Sequence, residues 1–456
     1  MLEYIKTHRI AFLLMLACVL FYLSFGYDLE RSDHIKLFSI YAALFYLSWK
    51  IIQTNKGNFW LLAGFGIFCR FLFIGALPNL SQDYFRFLWD GRLILKGVSP
   101  YAMSPEMIME HAPGLIAQAE QLFNGMGKLS TVHFSSYPPV NQSLFALSAL
   151  FAGKSILGQV IVIRLILIAA DIGILYFGRK ILQHLKVDGH RIFWYFLNPF
   201  IIIELTGNLH FEGVMLFFFI GSMYLLLKSK WLWAAVLLGL SISVKLIPFL
   251  FLPLFFQWFI KKYQTKTGLM KLIGFYVVCV LTVALTFLPF ISSELISNFG
   301  ATLSLWFQNF EFNASIHYVI RWIAFKVVGW NIIETTGMIL SAIVFAGVLA
   351  MAFFRRNHSA VNLFTAMVLS VSLYFLLSTT VHPWYIATPL LLCIVTRYRF
   401  PLLWSILIVL SYSAYGNDAF EENMLLIAIE YAVVLGYAGW EIFFKKPTLQ
   451  IQPQHP

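Results

Sequence analysis

Residues 141–153 read Asn-Gln-Ser-Leu-Phe-Ala-Leu-Ser-Ala-Leu-Phe-Ala-Gly, an apolar run that stops after about 13 residues. A helix that crosses ~30 Å of hydrocarbon at 1.5 Å per residue needs about 20. The run is too short to cross, and where it lies sets the topology of everything after it. Counted as a crossing, it would carry the basic cluster Arg179, Lys180, Lys186 and Arg191 to the outer side and invert every later loop. Laid along the outer surface, it leaves that cluster in the cytoplasm, where short loops rich in Lys and Arg belong. We read it as an interfacial helix.

The composition around it points the same way. Of 456 residues, 60% are hydrophobic and only 12% charged, and the mean hydropathy is +0.78. A soluble globular chain carries about 25% charged residues, so this one cannot cover a water-exposed surface. The fold class it implies is an all-α polytopic membrane protein with about 12–14 transmembrane helices. Apolar runs place spans near 10–26, 35–52, 58–77, 157–178, 192–207, 212–228, 231–244, 247–260, 269–290, 332–354, 360–380, 384–396, 400–415 and 423–443. With the N-terminus inside, Lys6/Arg9, Lys50/Lys56, Lys228/Lys230, Lys261/Lys262/Lys266, Arg355/Arg356, Arg397/Arg399 and Lys445/Lys446 all face the cytoplasm, and the acidic stretches 28–33 and 418–422 face out. Residues 1–443 then form one integral membrane domain with both termini cytoplasmic, and residues 444–456 a flexible cytoplasmic tail.

The net charge of +11 lies in these short inner clusters, so membrane lipid rather than nucleic acid is the partner. Lys6 and Arg9 ahead of an apolar run resemble a signal peptide. No small-x-small site follows, and an uncleaved first span is expected. Cys18, Cys69, Cys279 and Cys393 sit inside apolar runs with no CxxC spacing, as small core residues do. Two outer loops are long, 78–156 and 291–331; in the second, residues 314–328 carry Arg321 and Lys326 on an apolar pattern, the mark of another membrane-lying helix. Long loops in a compact protein are commonly functional, so the chemistry should face outward.

The first outer loop opens on Ser81-Gln-Asp-Tyr-Phe-Arg-Phe-Leu-Trp-Asp-Gly-Arg and runs on to Pro100-Tyr101. On a helix, Asp83, Arg86 and Asp90 share one face, either as an ion-paired surface or as a carboxylate near fixed positive charge that can take a proton from a hydroxyl. At the outer turn between two later spans stand Glu204, Asn208, His210 and Glu212, suited to capping helix ends or to holding a sugar. His-x-Glu supplies too few ligands for a metal site. Lys245 falls at the outer tip between two half-length apolar runs. It can snorkel to water or bind a lipid phosphate, with Arg321 and His382 adding to the anion site. His382-Pro-Trp384-Tyr385 places two rings at the interface, as an aromatic belt or as a surface for a sugar face. Arg70, Arg164 and Asp171 lie inside spans and serve packing or line a phosphate path.

In order along the chain, Asp83–Tyr101 (D-Y-F-R-F-L-W-D-G-R…G-V-S-P-Y), Tyr137-Pro-Pro, Asn198-Pro with Glu204…Asn208-Leu-His-Phe-Glu, Val244-Lys-Leu-Ile-Pro and His382-Pro-Trp-Tyr resemble the GT-C glycosyltransferases, above all the bacterial polyprenyl-phosphate-mannose-dependent mannosyltransferases. The resemblance covers roughly residues 60–400. It implies a GT-C-like fold in the bacterial plasma membrane, with membrane-lying helices in the two outer loops and an active site on the periplasmic or extracellular side. It implies a polyprenyl-phosphate sugar donor, a glycan or lipid acceptor, and transfer of a hexose, mannose first, by one inverting displacement. The essential loop aspartate of the family matches Asp83, with Asp90 second. Arg86, Arg92, Tyr101, Asn208, His210, Glu212, Lys245, Arg321, His382, Trp384 and Tyr385 are the expected substrate-binding residues. No cofactor is implied. Some relatives carry paired acids where this chain has Gln82-Asp83, which leaves a divalent metal without supporting residues. Two other classes stay open: a transporter or flippase of lipid-linked sugar, and an enzyme like the O-antigen polymerases and ligases.

Overall fold

The computed structural model describes residues 9–308, 310–416 and 420–445; Lys6, Asp418, Lys446 and residues 446–456 of the tail lie outside them. Apart from one isolated bridge, Phe312 with Thr380, the described chain is helices and connections. Seven helices are long and apolar enough to cross a membrane: Arg9–Asp28, His34–Thr54, Ile156–His184, Thr265–Phe290, Ile333–Phe353, Ala360–Leu377 and Met424–Phe443. Their outward faces carry bare Leu13, Leu16, Leu20, Val277, Leu281 and Leu285, which lipid can cover and water cannot. The protein is an all-α polytopic membrane protein.

The other expected spans are shorter or broken. Pro199–Gly207 and Glu212–Leu227 meet at 114° across the turn 208–211. Trp231–Val244 ends at Lys245, and Ile247–Leu254 continues as a 3-10 helix with Pro253 inside it. Phe59–Phe71, Pro383–Cys393 and Phe400–Gly416 are also shorter than a full crossing. Proline lacks the N–H that a continuous helix needs. A break inside an apolar protein survives only where the freed backbone groups find partners. Here the partner is Arg164, whose guanidinium donates to the carbonyls of Thr206 (2.9 Å), Gly207 (2.9 Å) and Ile74 (3.1 Å). Asp171, about two turns along the same helix, pairs instead with the buried Arg70 at 2.8 Å. Both arginines thus hold helices together. The turn itself puts Leu209 at φ +63°, a left-handed conformation uncommon outside glycine and asparagine.

The segment 78–156, expected as the first outer loop, folds into helices Asp83–Ile94, Pro105–His111, Ala119–Val132 and Pro139–Ala152. The last of these is the 141–153 run, and it lies across Asp83–Ile94 so closely that a Cβ on Gly91 would stand 2.3 Å from the Phe145 carbonyl oxygen. Phe87 stacks on Phe145 at 4.7 Å. Asn141 donates to the carbonyl of Val244 at 2.9 Å, which ties this loop to the residue just before Lys245. In the segment 291–331 a helix, Ile316–Val327, stands where a membrane-lying one is expected, and Leu295–Gln308 is a further helix. Asn298 and Gly300 interrupt its apolar pattern, and it settles only by packing: Asn298 donates to the carbonyl of Tyr101 at 2.9 Å.

Candidate active site

Asp83 is the first residue of its helix, and its N–H donates to Ser81 Oγ at 3.2 Å. Its carboxylate is half-buried. Burial pushes its pKa up to about 6; Lys245 pulls it down, Glu212 pushes it up, and the Tyr137 hydroxyl, within hydrogen-bonding reach, favours the charged form. These groups come from distant segments. Glu212 opens the second half of the broken span. Lys245 is the extended residue that ends Trp231–Val244, and its ammonium pairs with Glu212 while lying 5.7 Å from the centre of the Tyr385 ring.

Behind them three rings stack: Trp384 lies between His210 (centroids 3.6 Å apart) and His382 (4.6 Å). Burial, and then Lys245, pushes the His382 imidazole down to about 3, so at neutral pH it adds hydrogen bonding but no positive charge. The strand-like pairing of Phe312 with residues 379–381 holds the segment leading to His382: Phe312 N–H donates to Thr379 (3.1 Å) and Val381 N–H to Phe312 (2.8 Å). Asn208 Oδ1 accepts the N–H of Leu80 at 3.1 Å, fixing the chain just ahead of Asp83. The buried polar atoms without a hydrogen-bond partner include four of this cluster, Glu204 Oε2, Asn208 Nδ2, His210 Nε2 and Glu212 Oε2; His210 Nε2 stands 3.7 Å from Glu204 Oε2. Buried polar groups are almost always satisfied, so such atoms at one place suit a polar ligand.

The remaining expected site residues have other tasks. Asp90 is fully buried. One oxygen takes Arg86 (2.7 Å), the other takes Ser135 Oγ (2.6 Å) and Gln142 Nε2 (3.0 Å). Arg86 also donates to the carbonyls of Ser130 (2.5 Å) and His133 (3.0 Å). Arg92 donates to Gln159 (2.7 Å), Ala117 (2.6 Å), Gln118 and Lys154. Tyr101, with no exposed surface, donates to the carbonyl of Tyr137 at 2.6 Å. These four pin the loop, because most of their polar atoms are taken by neighbouring turns. Arg321 is held by Glu311 at 2.6 Å and lies over the Tyr318 ring. Conversely, Tyr137 beside Asp83, and Tyr412, which donates to Glu204 at 2.8 Å, are site residues that sequence reading left without a role. Only the Tyr-Pro-Pro motif hinted at the first. Among the described residues no three His, Cys, Asp or Glu side chains converge as a metal site would need.

Residues 71–261 match the family described as alpha-(1->6)-mannopyranosyltransferase, N-terminal domain. The chain is also 20% identical over 334 residues to alpha-(1->6)-mannopyranosyltransferase A of Mycobacterium tuberculosis. That likeness takes in 69% of this chain but 61% of the relative, so the chain spans about three-fifths of the length of the curated protein it matches. Asp83, Asn208, His210, Glu212 and Lys245 fall inside the family segment; His382, Trp384 and Tyr385 are brought to it from beyond.

Proposed function

We propose that this chain is a membrane mannosyltransferase. It moves a mannosyl group from a polyprenyl-phosphate donor to a hydroxyl of a glycan or lipid acceptor, at the outer face of the plasma membrane, with both termini in the cytoplasm. The likeness to alpha-(1->6)-mannopyranosyltransferases supports the reaction class. The observation that carries the reading is the meeting of Asp83 with Lys245 and Glu212 beside half-length and broken helices.

The step is a single displacement. The acceptor oxygen attacks C1 of the sugar and its proton passes to Asp83. The C1–O bond to phosphate breaks on the opposite face, and polyprenyl phosphate leaves with the electron pair. A β-linked donor therefore gives an α-linked product. A carboxyl raised to about 6 is ionised at pH 7 yet more basic than an ordinary aspartate, which suits a general base. Charge on the leaving phosphate grows as the bond breaks, so the fixed Lys245 ammonium stabilises the transition state more than the ground state. The buried Glu212 holds that ammonium in place, and the His210–Trp384–His382 stack offers a flat wall for the sugar ring.

The test uses purified protein in lipid with radiolabelled polyprenyl-phosphate mannose. Wild-type protein should release labelled glycan, and Asp83→Asn should lose about 10²–10⁴-fold in rate with unchanged protein level. A protein that only relocates the lipid across the bilayer would sink the transferase reading and leave the flippase class.

A further inference from the structure

A cavity of about 350 Å³ opens between the two outer loops, lined by His133, Phe134, Ala301, Thr302, Ser304 and Leu305. That size falls within the range of small-ligand sites. Its lining mixes an aromatic residue, two hydroxyls and an imidazole, with no Lys, Arg, Asp or Glu; the Thr302 hydroxyl donates to the Asn298 carbonyl at 2.9 Å and keeps its lone pairs to accept from a ligand. Partial burial, with Arg86 second, holds His133 below the ordinary histidine range, so the wall is uncharged at neutral pH. Such a surface suits a neutral, polyhydroxylated ligand: rings of this kind take the apolar face of a sugar, and hydroxyls and imidazole take its OH groups. An anionic headgroup would find no counter-charge in it.

Both walls are fastened to the loop that carries Asp83. Arg86 donates to the His133 carbonyl at 3.0 Å, and Ser135 donates to Asp90 at 2.6 Å. On the opposite wall, helix Leu295–Gln308 is tied through Asn298 to the Tyr101 carbonyl, and the Tyr101 hydroxyl reaches the carbonyl of Tyr137. Phe134 stands three residues from Tyr137, about 10 Å of extended chain, and the Tyr137 hydroxyl faces Asp83. The cavity therefore lies within a short oligosaccharide's reach of the candidate base.

We infer that this cavity is an acceptor subsite, which holds sugar units of a neutral glycan behind the hydroxyl that attacks. The inference rests on the transferase reading for its role, while binding at the cavity can be tested without it. Two acceptors separate the cases in lipid-embedded protein supplied with polyprenyl-phosphate mannose: methyl α-mannoside, which can fill only the reacting position, and α-1,6-linked mannotetraose, which can reach the cavity. Wild type should favour the tetraose by about tenfold or more in kcat/KM. Phe134→Ala and Thr302→Val should each remove most of that advantage through KM, and leave the rate on methyl α-mannoside within about twofold. Equilibrium dialysis of mannotetraose without donor should show weaker binding in both variants, with melting temperatures unchanged. Equal loss on both acceptors, or wild-type binding of the tetraose in both variants, overturns the subsite. Absence of transfer by wild type, with tetraose binding that depends on Phe134, removes the transferase reading and keeps the cavity as a glycan site.

Discussion

At the start of the first long loop, 78–156, Asp83 sits half-buried beside Lys245 and Glu212; in the second, 291–331, Glu311 sits half-buried beside Arg321 and His317. Each cluster has a carboxylate, a cation and a histidine close by. Burial raises both carboxyls, but at Glu311 it is outweighed. Its oxygens take His317 Nε2 (2.8 Å), Arg321 (2.6 Å) and Asn331 (3.3 Å), and the net effect holds it below the usual glutamate range. At Asp83 the nearest cation is already paired with Glu212, burial wins, and the carboxyl rises to about 6. The lesson is that a carboxylate supplied with its full set of donors is a fastener, whereas one whose counter-ion is shared is ready to accept a proton.

The largest expected effect breaks the comparison at its catalytic side. Asp83→Asn should lose about 10²–10⁴-fold in kcat, while Glu311→Gln stays within a few-fold; labelled-mannose transfer measures both. Next, Lys245→Met should cost about 10²-fold or more in kcat and should move the acid limb of the pH profile upward, since the group that lowers the Asp83 pKa is gone. In wild type, kcat/KM should rise with pH through about 6 and level off above it, because the base must be ionised. Glu212→Gln removes a raising influence and should shift that limb to lower pH.

Stability sharpens the contrast. The folded-state pKa of Asp83 lies above the ~3.9 of an unfolded aspartate, so any stability it lends is complete below that value and lost as pH rises through about 6. At pH 7, Asp83→Asn should therefore melt no lower than wild type. Glu311 has the opposite shift: its contribution is present above the unfolded glutamate pKa and lost as pH falls through the lower folded value. Glu311→Gln should lower stability at pH 7 by about 1–3 kcal/mol, read as a thermal shift in detergent. The smallest effect on chemistry comes from Gly91→Ala. With 2.3 Å to the Phe145 oxygen, it should destabilise the loop by about 1–3 kcal/mol while the properly folded fraction keeps wild-type kcat.

Several parts of this molecule were legible residue by residue. The short run at 141–153 reads as a helix in the sequence and is one, Pro139–Ala152, packed across Asp83–Ile94. Helix 316–327 was visible from its charge pattern. Leu295–Gln308 was not, since its polar interruptions are satisfied by Tyr101, nearly 200 residues away. Among candidate residues, spacing placed Asp83, Arg86 and Asp90 on one helix face but could not tell the terminal acid from the interior one. Asp90 has no exposed surface and accepts three hydrogen bonds; only Arg86 stands at i−4, while Ser135 and Gln142 arrive from other turns.

Composition and apolar run length by themselves determined that this chain lives in a bilayer, is helical, and gathers its polar residues at loop ends, because transfer of backbone and charge into hydrocarbon is so costly that each residue's own chemistry decides its depth. Only the tertiary structure decided which of those polar residues are free to react. Whether a carboxylate is spent on a neighbour or left near its pKa depends on donors that reach it from elsewhere in the chain, and partnership across 129 or 162 residues, as between Asp83 and Glu212 or Lys245, leaves no mark in local sequence.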